Sequence, residues 1–253
     1  MDFTLATYEK LLAALEKNGY TFQPFEEFVS NKNAGKAVVL RHDVDRIPGN
    51  ALKMARIEHG RGIKASYYFR VVPHVWNEEI IKKIVALGHE VAYHYEDLAI
   101  SRGDREKAIE HFGEQLKRFR QFYPSKTICM HGSPMAKWDN RQLWEHYNYQ
   151  DYGIIAEPYF DIDYSRVFYI TDTGRAWNNS SISVRDKVES GFDIPIDSTF
   201  HLIQLLEHKQ LPDQIMINTH PHRWFAPGAY WYRELILQNL KNVVKSVLVK
   251  AKG

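Results

Sequence analysis

The chain has 253 residues, 44% hydrophobic and 25% charged, and its 33 basic and 31 acidic residues leave a formal net charge of +2. This composition is typical of a folded globular protein, so it excludes a disordered or fibrous chain. Because the charges nearly cancel, we expect neither nucleic acid nor an anionic membrane surface as partner. Cys129 is the single cysteine, so neither an intramolecular disulfide nor a Cys-rich zinc site can form.

The N-terminus and the hydropathy pattern predict a cytoplasmic protein. Residues 1–4 are acidic rather than basic, and no apolar segment of the kind found in a secretory leader follows them. No uninterrupted apolar run approaches the roughly 18–20 residues that a membrane span needs. We therefore expect no membrane span, and the sequence carries no signal for the oligomeric state.

Residues 1–36 are predicted to form a helical extension, with a helix from Tyr8 to Lys17, packed on a single domain at 37–253. The predicted elements of the first half of that domain are a strand at 37–40, a helix capped by Asn50 and ended by Gly60, a strand at 65–69, a helix from Asn77 to Gly88, a strand at 90–93 and a helix at 104–122. Those of its second half are strands at 127–130, 153–156, 167–170, 192–194 and 214–218, and a C-terminal helix with Ile236, Leu240, Val243 and Val247 along one side.

This alternation of short apolar runs and helical patterns is typical of βα units around a parallel sheet. Seven or eight strands over this length favour a closed or nearly closed barrel over an open sheet. The predicted fold class is therefore α/β, a distorted seven- to eight-stranded (β/α) barrel.

Polar residues follow the predicted strands repeatedly. In a parallel barrel, functional residues collect at the carboxyl ends of the strands. The polar segments that follow six of the strands are 41–45, 94–97, 131–134, 171–172, Asp197 and 219–222. Six such endings in register favour a functional site over simple solvation of the surface.

Asp43 and Asp45 are separated by one residue after the first strand of the domain. Residues two apart in an extended chain face the same side, so both carboxylates would point to one spot while Val44 packs the other way. Two ionised carboxylates that close repel each other unless a cation or proton lies between them. The pair favours a divalent metal, with one carboxylate as ligand and the other as base. The alternative, an N-cap and turn before the next helix, accounts for only one of the two.

Histidines supply the other candidate ligands and a candidate acid. A zinc-type site takes about three protein ligands and a water. His94 is one candidate, although a histidine after a buried strand is often structural; His131 is the first choice for a third ligand and Asp97 the second. His220 and His222 end the last strand, and one of them could serve as general acid near neutral pH. For His222 a place in a surface loop is the alternative.

At these residues the chain resembles the polysaccharide deacetylase superfamily, which includes carbohydrate esterase family four, from about 37 to 224. The family's first motif is an Asp pair after strand one, which Asp43 and Asp45 match in the form with one residue between them. The resemblance implies a distorted seven-stranded (β/α) barrel that removes acetyl groups from sugars with one divalent metal, usually zinc. It also implies that Asp43 is the base and that Asp45 binds the metal.

Two further segments carry the resemblance, and two depart from it. Gly88-His89-Glu90 is similar to the lead-in of the second motif, whose metal-ligand histidine corresponds to His94, and 215–220 is similar to the last motif, which ends in a catalytic histidine, here His220. The second ligand histidine of the family is replaced by Leu98, which cannot bind a metal. The family's Arg-Pro motif near strand four is missing, and 130–134 occupies its place.

These observations predict a metal-dependent hydrolase that removes an acetyl group from an amino sugar or polysaccharide precursor. One divalent ion, zinc by resemblance, would be held by Asp45, His94 and His131, with Asp43 as base and His220 as acid. With a cytoplasmic location we expect a nucleotide- or lipid-linked sugar as substrate.

Four loop residues are the candidates for contact with the carbohydrate: Trp138, Asp172, Arg175 and His222. Arg175 would be free to hold a phosphate or carboxylate. A capped helix after Trp138 and a plain turn before Arg175 explain these loops equally well.

Three other functions stay open at this point. Leu98 favours a non-catalytic barrel that binds carbohydrate after losing its metal, although such a barrel has little reason to keep Asp43, Asp45, His94 and His220. Hydrolysis of another C–N amide is possible because a metal and a base do not select a sugar. A metal-dependent glycosyltransferase is disfavoured, since its Asp-x-Asp motif normally follows a nucleotide-binding domain of about a hundred residues.

Overall fold

The computed structural model of the protein describes residues 1–31, 35–132, 137–177, 188–226, 228 and 231–237. The strands are β1 (Thr21–Phe22), β2 (Ala37–Val44), β3 (Ser66–Phe69), β4 (Glu90–Tyr95), β5 (Ile128–Met130), β6 (Phe168–Thr171) and β7 (Gln214–Thr219). The α-helices are α1 (Leu5–Lys17), α2 (Phe25–Ser30), α3 (Pro48–His59), α4 (Glu78–Ala86), α5 (Asp97–Ile100), α6 (Arg105–Phe119), α7 (Pro158–Asp161) and α8 (Thr199–Glu207). Short 3-10 helices span Asn140–Glu145, Tyr149–Tyr152, Thr173–Arg175 and Pro221–Arg223.

All seven strands pair in parallel in one sheet, in the order β5-β4-β3-β2-β7-β6, and β1 pairs with the start of β2. The sheet is curled: the Tyr68 hydroxyl on β3 reaches the Thr127 hydroxyl, at the start of β5, over a distance of 2.8 Å across the intervening β4. Among the described residues no ladder joins β5 to β6, so the barrel is distorted and open there. The predicted α/β class is confirmed, and the predicted extension at 1–36 contributes β1 to the sheet.

The open edge of β5 is covered by the segment at 153–157 instead of by a full strand. One bridge joins Thr127 to Ala156, and the Met130 amide donates to the Glu157 side chain at 3.0 Å. The strand predicted at 153–156 is therefore reduced to a single bridge. The strand predicted at 192–194 is wrong, because these residues form an irregular loop.

Side chains on the two faces of the sheet form two separate cores. Alternate strand residues such as Val38 and Leu40 pack against the helices in a large outer core. Their neighbours Ala37 and Val39 face the concave side and form a smaller inner core, which Phe25 of α2 closes from below. Because both faces are covered, β2 is buried along its whole length, as expected of a central parallel strand.

Of the two predicted helix caps, Asn77 is confirmed and Asn50 is not; Asp104 is a further cap. The side chains of Asn77 and Asp104 accept hydrogen bonds from the amides three residues on, which begins α4 and α6. Asn50 is not a cap, because Pro48 takes the first position of α3. Its side-chain amide instead donates to the carbonyls of Pro221 and Trp224 at 3.3 and 3.0 Å, which ties α3 to the loop after β7.

The C-terminal helix is described only over 231–237, where Ile236 is exposed. The predicted stripe residues Leu240, Val243 and Val247 lie outside the described residues, as do 133–134 of the segment after β5. Within the described part of the chain, every helix is too short or too polar to span a bilayer.

Candidate metal centre

The candidate site lies at the carboxyl ends of the strands, on the concave face. Asp43 on β2, His94 on β4 and Asn218 on β7 fall on the same alternation as the inner-core residues of their strands. Asp45, His131 and His220 follow the ends of β2, β5 and β7 by one residue each. The curl of the sheet therefore brings side chains from four strands to one place.

The Asp45 carboxylate lies where three imidazoles meet. Its Oδ1 atom is 3.5 Å from His94 Nε2 and 3.6 Å from His131 Nε2, and its Oδ2 atom is 3.8 Å from His220 Nε2. Oδ1 is buried and has no hydrogen-bond partner among the described residues. Two ligands on a tetrahedral ion with bonds of about 2.1 Å are about 3.4 Å apart, so the first two spacings fit atoms that share a metal ion.

Each of these imidazoles is oriented through its other nitrogen. The Nδ1 contacts are His94 to the Cys129 carbonyl at 2.9 Å, His131 to Glu96 Oε2 at 2.9 Å and His220 to Asp172 Oδ1 at 2.6 Å. A carbonyl or carboxylate oxygen only accepts, so Nδ1 carries the proton at His94 and His131. At His220 we assign it the same way, because the Asp172 contact at 2.6 Å is shorter than the approach of Arg223 Nη1 at 3.0 Å. The three Nε2 atoms are thereby left with a lone pair for a metal or a proton, as metal-binding histidines require.

Asp43 is held by a different set of partners. Arg41 Nε and Nη2 donate to its two oxygens at 3.0 and 2.7 Å, and Asn218 Nδ2 donates to Oδ2 at 3.1 Å. Burial by itself would raise the pKa of Asp43, but the Arg41 guanidinium and His94 lower it by more, to well below its usual range. Asp43 is therefore an ionised carboxylate, held 3.8 Å from His94 Nε2.

A second group of donor atoms shares His94. The ligand atoms of Asp43, His94 and Cys129 are buried and all lie within 4.8 Å of one another, so this group could hold a metal ion. Its carboxylate is already hydrogen-bonded by Arg41 and Asn218, however, whereas the Asp45 carboxylate has an oxygen without a donor. The two donor sets make different predictions for substitution of Cys129 and of Asp45.

Electrostatics holds Asp45 ionised. Burial raises the pKa of Asp45, but His131, His94 and His220 outweigh it, so that the pKa lies well below its ordinary value. The pKa of His94 is raised, since Asp43 and Asp45 together outweigh the lowering effect of burial. At His94, therefore, cation binding will compete with protonation.

The carboxylates behind two of the imidazoles are ionised as well. The pKa of Glu96 is about 2, because His131 and Arg70 outweigh the effect of burial. Arg70 grips both oxygens of Glu96, at 2.7 and 2.8 Å. The pKa of Asp172 is also about 2, since Arg223 and other neighbours overcome its burial.

The residues predicted to contact carbohydrate lie in different surroundings. Asp172 is fully buried and bonded to His220, Arg223 and Trp224, so it positions His220 and has no surface for a substrate. That assignment is corrected: the carboxylate is an anchor behind the imidazole. Trp138 is half-buried and packs over Gly103, and its contact with a sugar stays a prediction.

His222 and Asp97 have buried polar atoms. His222 is neutral, because burial and then Arg223 lower its pKa well below its ordinary value, and its Nδ1 atom has no partner in the described chain. Asp97, the second choice for a ligand, is bonded to Tyr93 and His111 on the outer side of β4. It therefore does not belong to the site.

Residues of the site that were not predicted from the sequence include Arg41, Glu96, Arg70 and Asn218. Arg41 and Glu96 lie two residues from Asp43 and His94, so the same period of two that placed the Asp pair also places them on the concave face. Arg70 follows β3 by one residue, and β3 is not among the six strands with a predicted polar ending.

No protein-family model matches the chain, and no curated protein matches it. Among solved structures, a family 4 carbohydrate esterase from Bacillus anthracis is similar over 93% of this chain and 91% of its own, with 11% identity and a TM-score of 0.43. The Xyl-CE4 domain of a multidomain xylanase from the hindgut metagenome of Trinervitermes trinervoides is similar over 87% and 85%, with 15% identity and a TM-score of 0.35. Likenesses of this size do not carry over an activity, so the residues of this chain decide what its site can do.

Proposed function

We propose that this protein is a metal-dependent hydrolase that removes an acyl group, such as acetyl, from the nitrogen of an amino sugar. The observation that carries the proposal is the convergence of three imidazole Nε2 atoms on the Asp45 carboxylate. Each imidazole is fixed by an acceptor at Nδ1, which is the arrangement that metal-binding and proton-transferring histidines share.

Asp45, His94 and His131 are the proposed metal ligands. Their donor atoms are one carboxylate oxygen and two imidazole nitrogens, a set that suits zinc, and a water would complete it. His131 takes the place of the histidine that the family has where this chain has Leu98. When bound, the ion supplies Lewis acidity, which lowers the pKa of water and polarises the acyl oxygen.

Asp43 is the proposed base. It lies on the same face of the chain as Asp45, and Arg41 and Asn218 fix the orientation of its carboxylate. In the proposed reaction a water oxygen attacks the acyl carbon while the Asp43 carboxylate accepts the proton of that water. Arg41 keeps this carboxylate ionised, as a proton acceptor must be, although the same guanidinium lowers the affinity of Asp43 for that proton.

His220 is the proposed acid. Its Nδ1 proton is held by Asp172, so its Nε2 atom is the one that faces the centre and can deliver a proton. The acyl C–N bond breaks as this proton reaches the departing nitrogen, which leaves a free amine and a carboxylate product. The sugar part of the proposal depends on the motif resemblance; hydrolysis of another C–N amide by the same residues is the alternative that a substrate panel tests.

The first experiment is elemental analysis of the purified wild-type protein beside Asp45→Ala and Cys129→Ala. We expect about one equivalent of zinc in the wild type and in Cys129→Ala, and none in Asp45→Ala. Loss of zinc in Cys129→Ala alone would assign the ion to the Asp43, His94 and Cys129 group instead. Absence of metal from the wild type even after zinc addition would overturn the hydrolase and favour a carbohydrate-binding barrel.

Acetate release then tests the substrate. N-acetylated sugars and sugar phosphates should release acetate with the zinc-loaded wild type but not with Asp45→Ala. Circular dichroism of each variant controls for folding. Release from simple N-acetyl amides but from no sugar would contradict the carbohydrate part of the proposal.

A further inference from the structure

Arg175 has a buried guanidinium that lacks a hydrogen-bond partner among the residues that the structure describes. The residue is 8% exposed, and its Nε, Nη1 and Nη2 atoms are all buried and have no hydrogen-bond partner within the described chain. A guanidinium has five N–H donors and cannot lose its charge in a protein, so burying it without an acceptor is unfavourable.

The surroundings of Arg175 offset part of that cost without satisfying the donors. The guanidinium carbon lies 4.8 Å from the Trp231 ring and 5.7 Å from the Phe3 ring, which is within cation–π range. Arg175 also has a left-handed backbone, with φ of 58°, directly after Gly174 with φ of 76°. Arg175 thus combines a strained backbone with a buried charge that has no hydrogen-bond partner among the described residues. Backbone strain of this kind is common at functional positions.

A second cation lies next to it. The backbone amide of Arg175 and Nη1 of Arg223 both donate to the Asp172 carbonyl, at 2.9 and 2.7 Å. Arg223 Nη1 also contacts Asp172 Oδ1 at 2.8 Å, while its Nε atom is buried and has no partner among the described residues. The two arginines thus meet at the Asp172 carbonyl, Arg175 through its backbone amide and Arg223 through its side chain, and each has buried side-chain donors without a partner among the described residues.

The nearby acidic side chains attract Arg175 electrostatically but accept no hydrogen bond from it within the described chain. Asp2 accepts hydrogen bonds from the amides of Phe3 and Thr199, at 2.7 and 2.9 Å. Glu234 is half-buried, and it forms no ion pair with Arg175 within the part of the chain that the structure describes. Among the nearby carboxylates Glu234 attracts Arg175 most strongly, so a substitution of Glu234 is included in the experiment below.

We infer that Arg175, with Arg223 beside it, binds an oxyanion, a phosphate or carboxylate group, next to the His220–Asp172 pair. Planar guanidinium groups bind such anions through two parallel hydrogen bonds, and none of the three Arg175 nitrogens has an acceptor in the described part of the chain. An acetylated amino sugar by itself is neutral. Resting on the proposed function, the inference therefore narrows the substrate class to sugars that carry a phosphate or carboxylate.

Thermal unfolding with and without inorganic phosphate tests the site without any turnover. The protein is kept metal-free with a chelator, so the result does not depend on the hydrolase. About 10 mM phosphate should raise the Tm of the wild type by at least about 3 °C, because a ligand of the native state stabilises it. Arg175→Met should lose this response, and its Tm without phosphate should equal or exceed that of the wild type.

Two controls make the outcome specific. Arg233→Met removes an exposed arginine from the same part of the chain and should respond to phosphate as the wild type does. Glu234→Gln should retain or strengthen the response. No response in the wild type, an equal response in Arg175→Met, or a response only in Glu234→Gln would overturn the inference; the last would make Arg175 a structural partner of Glu234.

The same assay distinguishes a free phosphate from a sugar phosphate as the ligand. We expect N-acetylglucosamine 1-phosphate to raise the Tm at lower concentration than inorganic phosphate, and neutral N-acetylglucosamine to act only weakly. Equal effects of phosphate and sugar phosphate would overturn the link to the substrate. Failure of the acetate-release assay with all of these responses intact would count against the hydrolase alone.

Discussion

The concave face of the sheet has buried polar groups at both ends of the same strands, and the two ends differ in how those groups are satisfied. At the amino ends, Glu90 begins β4 and lies between Ser66 of β3 and Thr127 before β5. At the carboxyl ends, the same strands lead to Arg70, His94, Glu96 and His131. Buried carboxylates occur at both ends, so burial of charge by itself does not distinguish a functional end from a structural one.

At the amino end both oxygens of Glu90 have partners. Oε2 accepts from the Ser66 hydroxyl at 2.5 Å and from the Glu26 amide at 3.1 Å, and Oε1 accepts from the Thr127 hydroxyl. Ser66 Oγ also accepts from the Phe25 amide at 2.7 Å. The barrel thereby caps the start of α2, whose N-cap Pro24 offers no side-chain acceptor. At this end the hydrogen bonds are complete, and they hold the start of α2, whose Phe25 packs in the inner core.

At the carboxyl end the donors and acceptors do not close on one another. Asp45 Oδ1 has no hydrogen-bond partner in the described chain, and three imidazole Nε2 atoms face its carboxylate at 3.5–3.8 Å. The three histidines are fixed through Nδ1 and direct Nε2 at the Asp45 carboxylate, which is how metal-binding histidines are arranged. We take the convergence of imidazoles on an Asp45 oxygen that has no donor in the described chain as the mark of the candidate functional end, and completed hydrogen bonding as the mark of the structural one.

The largest effect is expected from Asp43→Asn. If Asp43 is the base, the rate of acetate release should fall about 10²–10⁴-fold, because this is the usual contribution of a positioned proton acceptor. Zinc content should stay at the wild-type level, since Asp43 is not one of the proposed ligands. Elemental analysis beside steady-state kinetics checks both parts. Loss of zinc together with activity would make Asp43 a metal ligand and would contradict its assignment as the base.

The next effect concerns the amino end and is a pH dependence of stability. Burial, opposed only in part by the hydroxyls of Ser66 and Thr127, raises the pKa of Glu90 from 4.5 to about 7. Below pH 4.5 the group is protonated in both states. Between about 4.5 and 7 the unfolded chain ionises and the folded one does not, so stability falls as the pH rises. Above 7 the loss is complete, and it amounts to about 3 kcal/mol at most.

Glu90→Gln should remove this dependence. A glutamine amide can accept from Ser66 and donate to the Thr127 hydroxyl, which can turn its own proton towards Tyr68. Urea unfolding at pH 5 and pH 8 should show equal stability at pH 5 and a more stable variant at pH 8. Glu79→Gln, at an exposed position of α4, is the matched control and should follow the wild type. Parallel pH curves for the wild type and Glu90→Gln would contradict the assignment.

A smaller effect is expected from the same substitution at Glu96, the residue that follows β4. Glu96→Gln weakens the acceptor that orients His131 and breaks part of the Arg70 clamp, so zinc affinity should fall about 10–100-fold. Competition with a chelator measures the change. Glu90→Gln provides the control at the other end of the strand and should leave zinc affinity unaltered. Equal zinc affinities in the two variants would remove the distinction between the ends.

Much of the fold was predictable because strand and helix periodicity is a local property. The order of elements follows from apolar runs such as 37–40 and from caps such as Asn77, and the polar endings located the site. What could not be predicted depends on curvature, since Glu96 and Asp172 acquire their roles only when distant strands meet. Asp172 was placed in the right neighbourhood with the wrong role, because its sequence context does not reveal that His220 lies 2.6 Å away.

Leu98 is where the family pattern and this chain disagree, and it gives the smallest expected effect on the metal. Leu98 is 2% exposed and belongs to the outer core, on the side of the sheet away from Asp45. Leu98→His should therefore change zinc affinity less than about 2-fold, while an unpaired imidazole in that core lowers the free energy of unfolding by about 1–3 kcal/mol.

A stricter test of the third ligand introduces Leu98→His together with His131→Ala. If His131 is the ligand that replaces the missing one, zinc binding stays lost there. Recovery of zinc in the double variant would mean that position 98 reaches the centre, and that His131 is a neighbour of the metal instead of its third ligand.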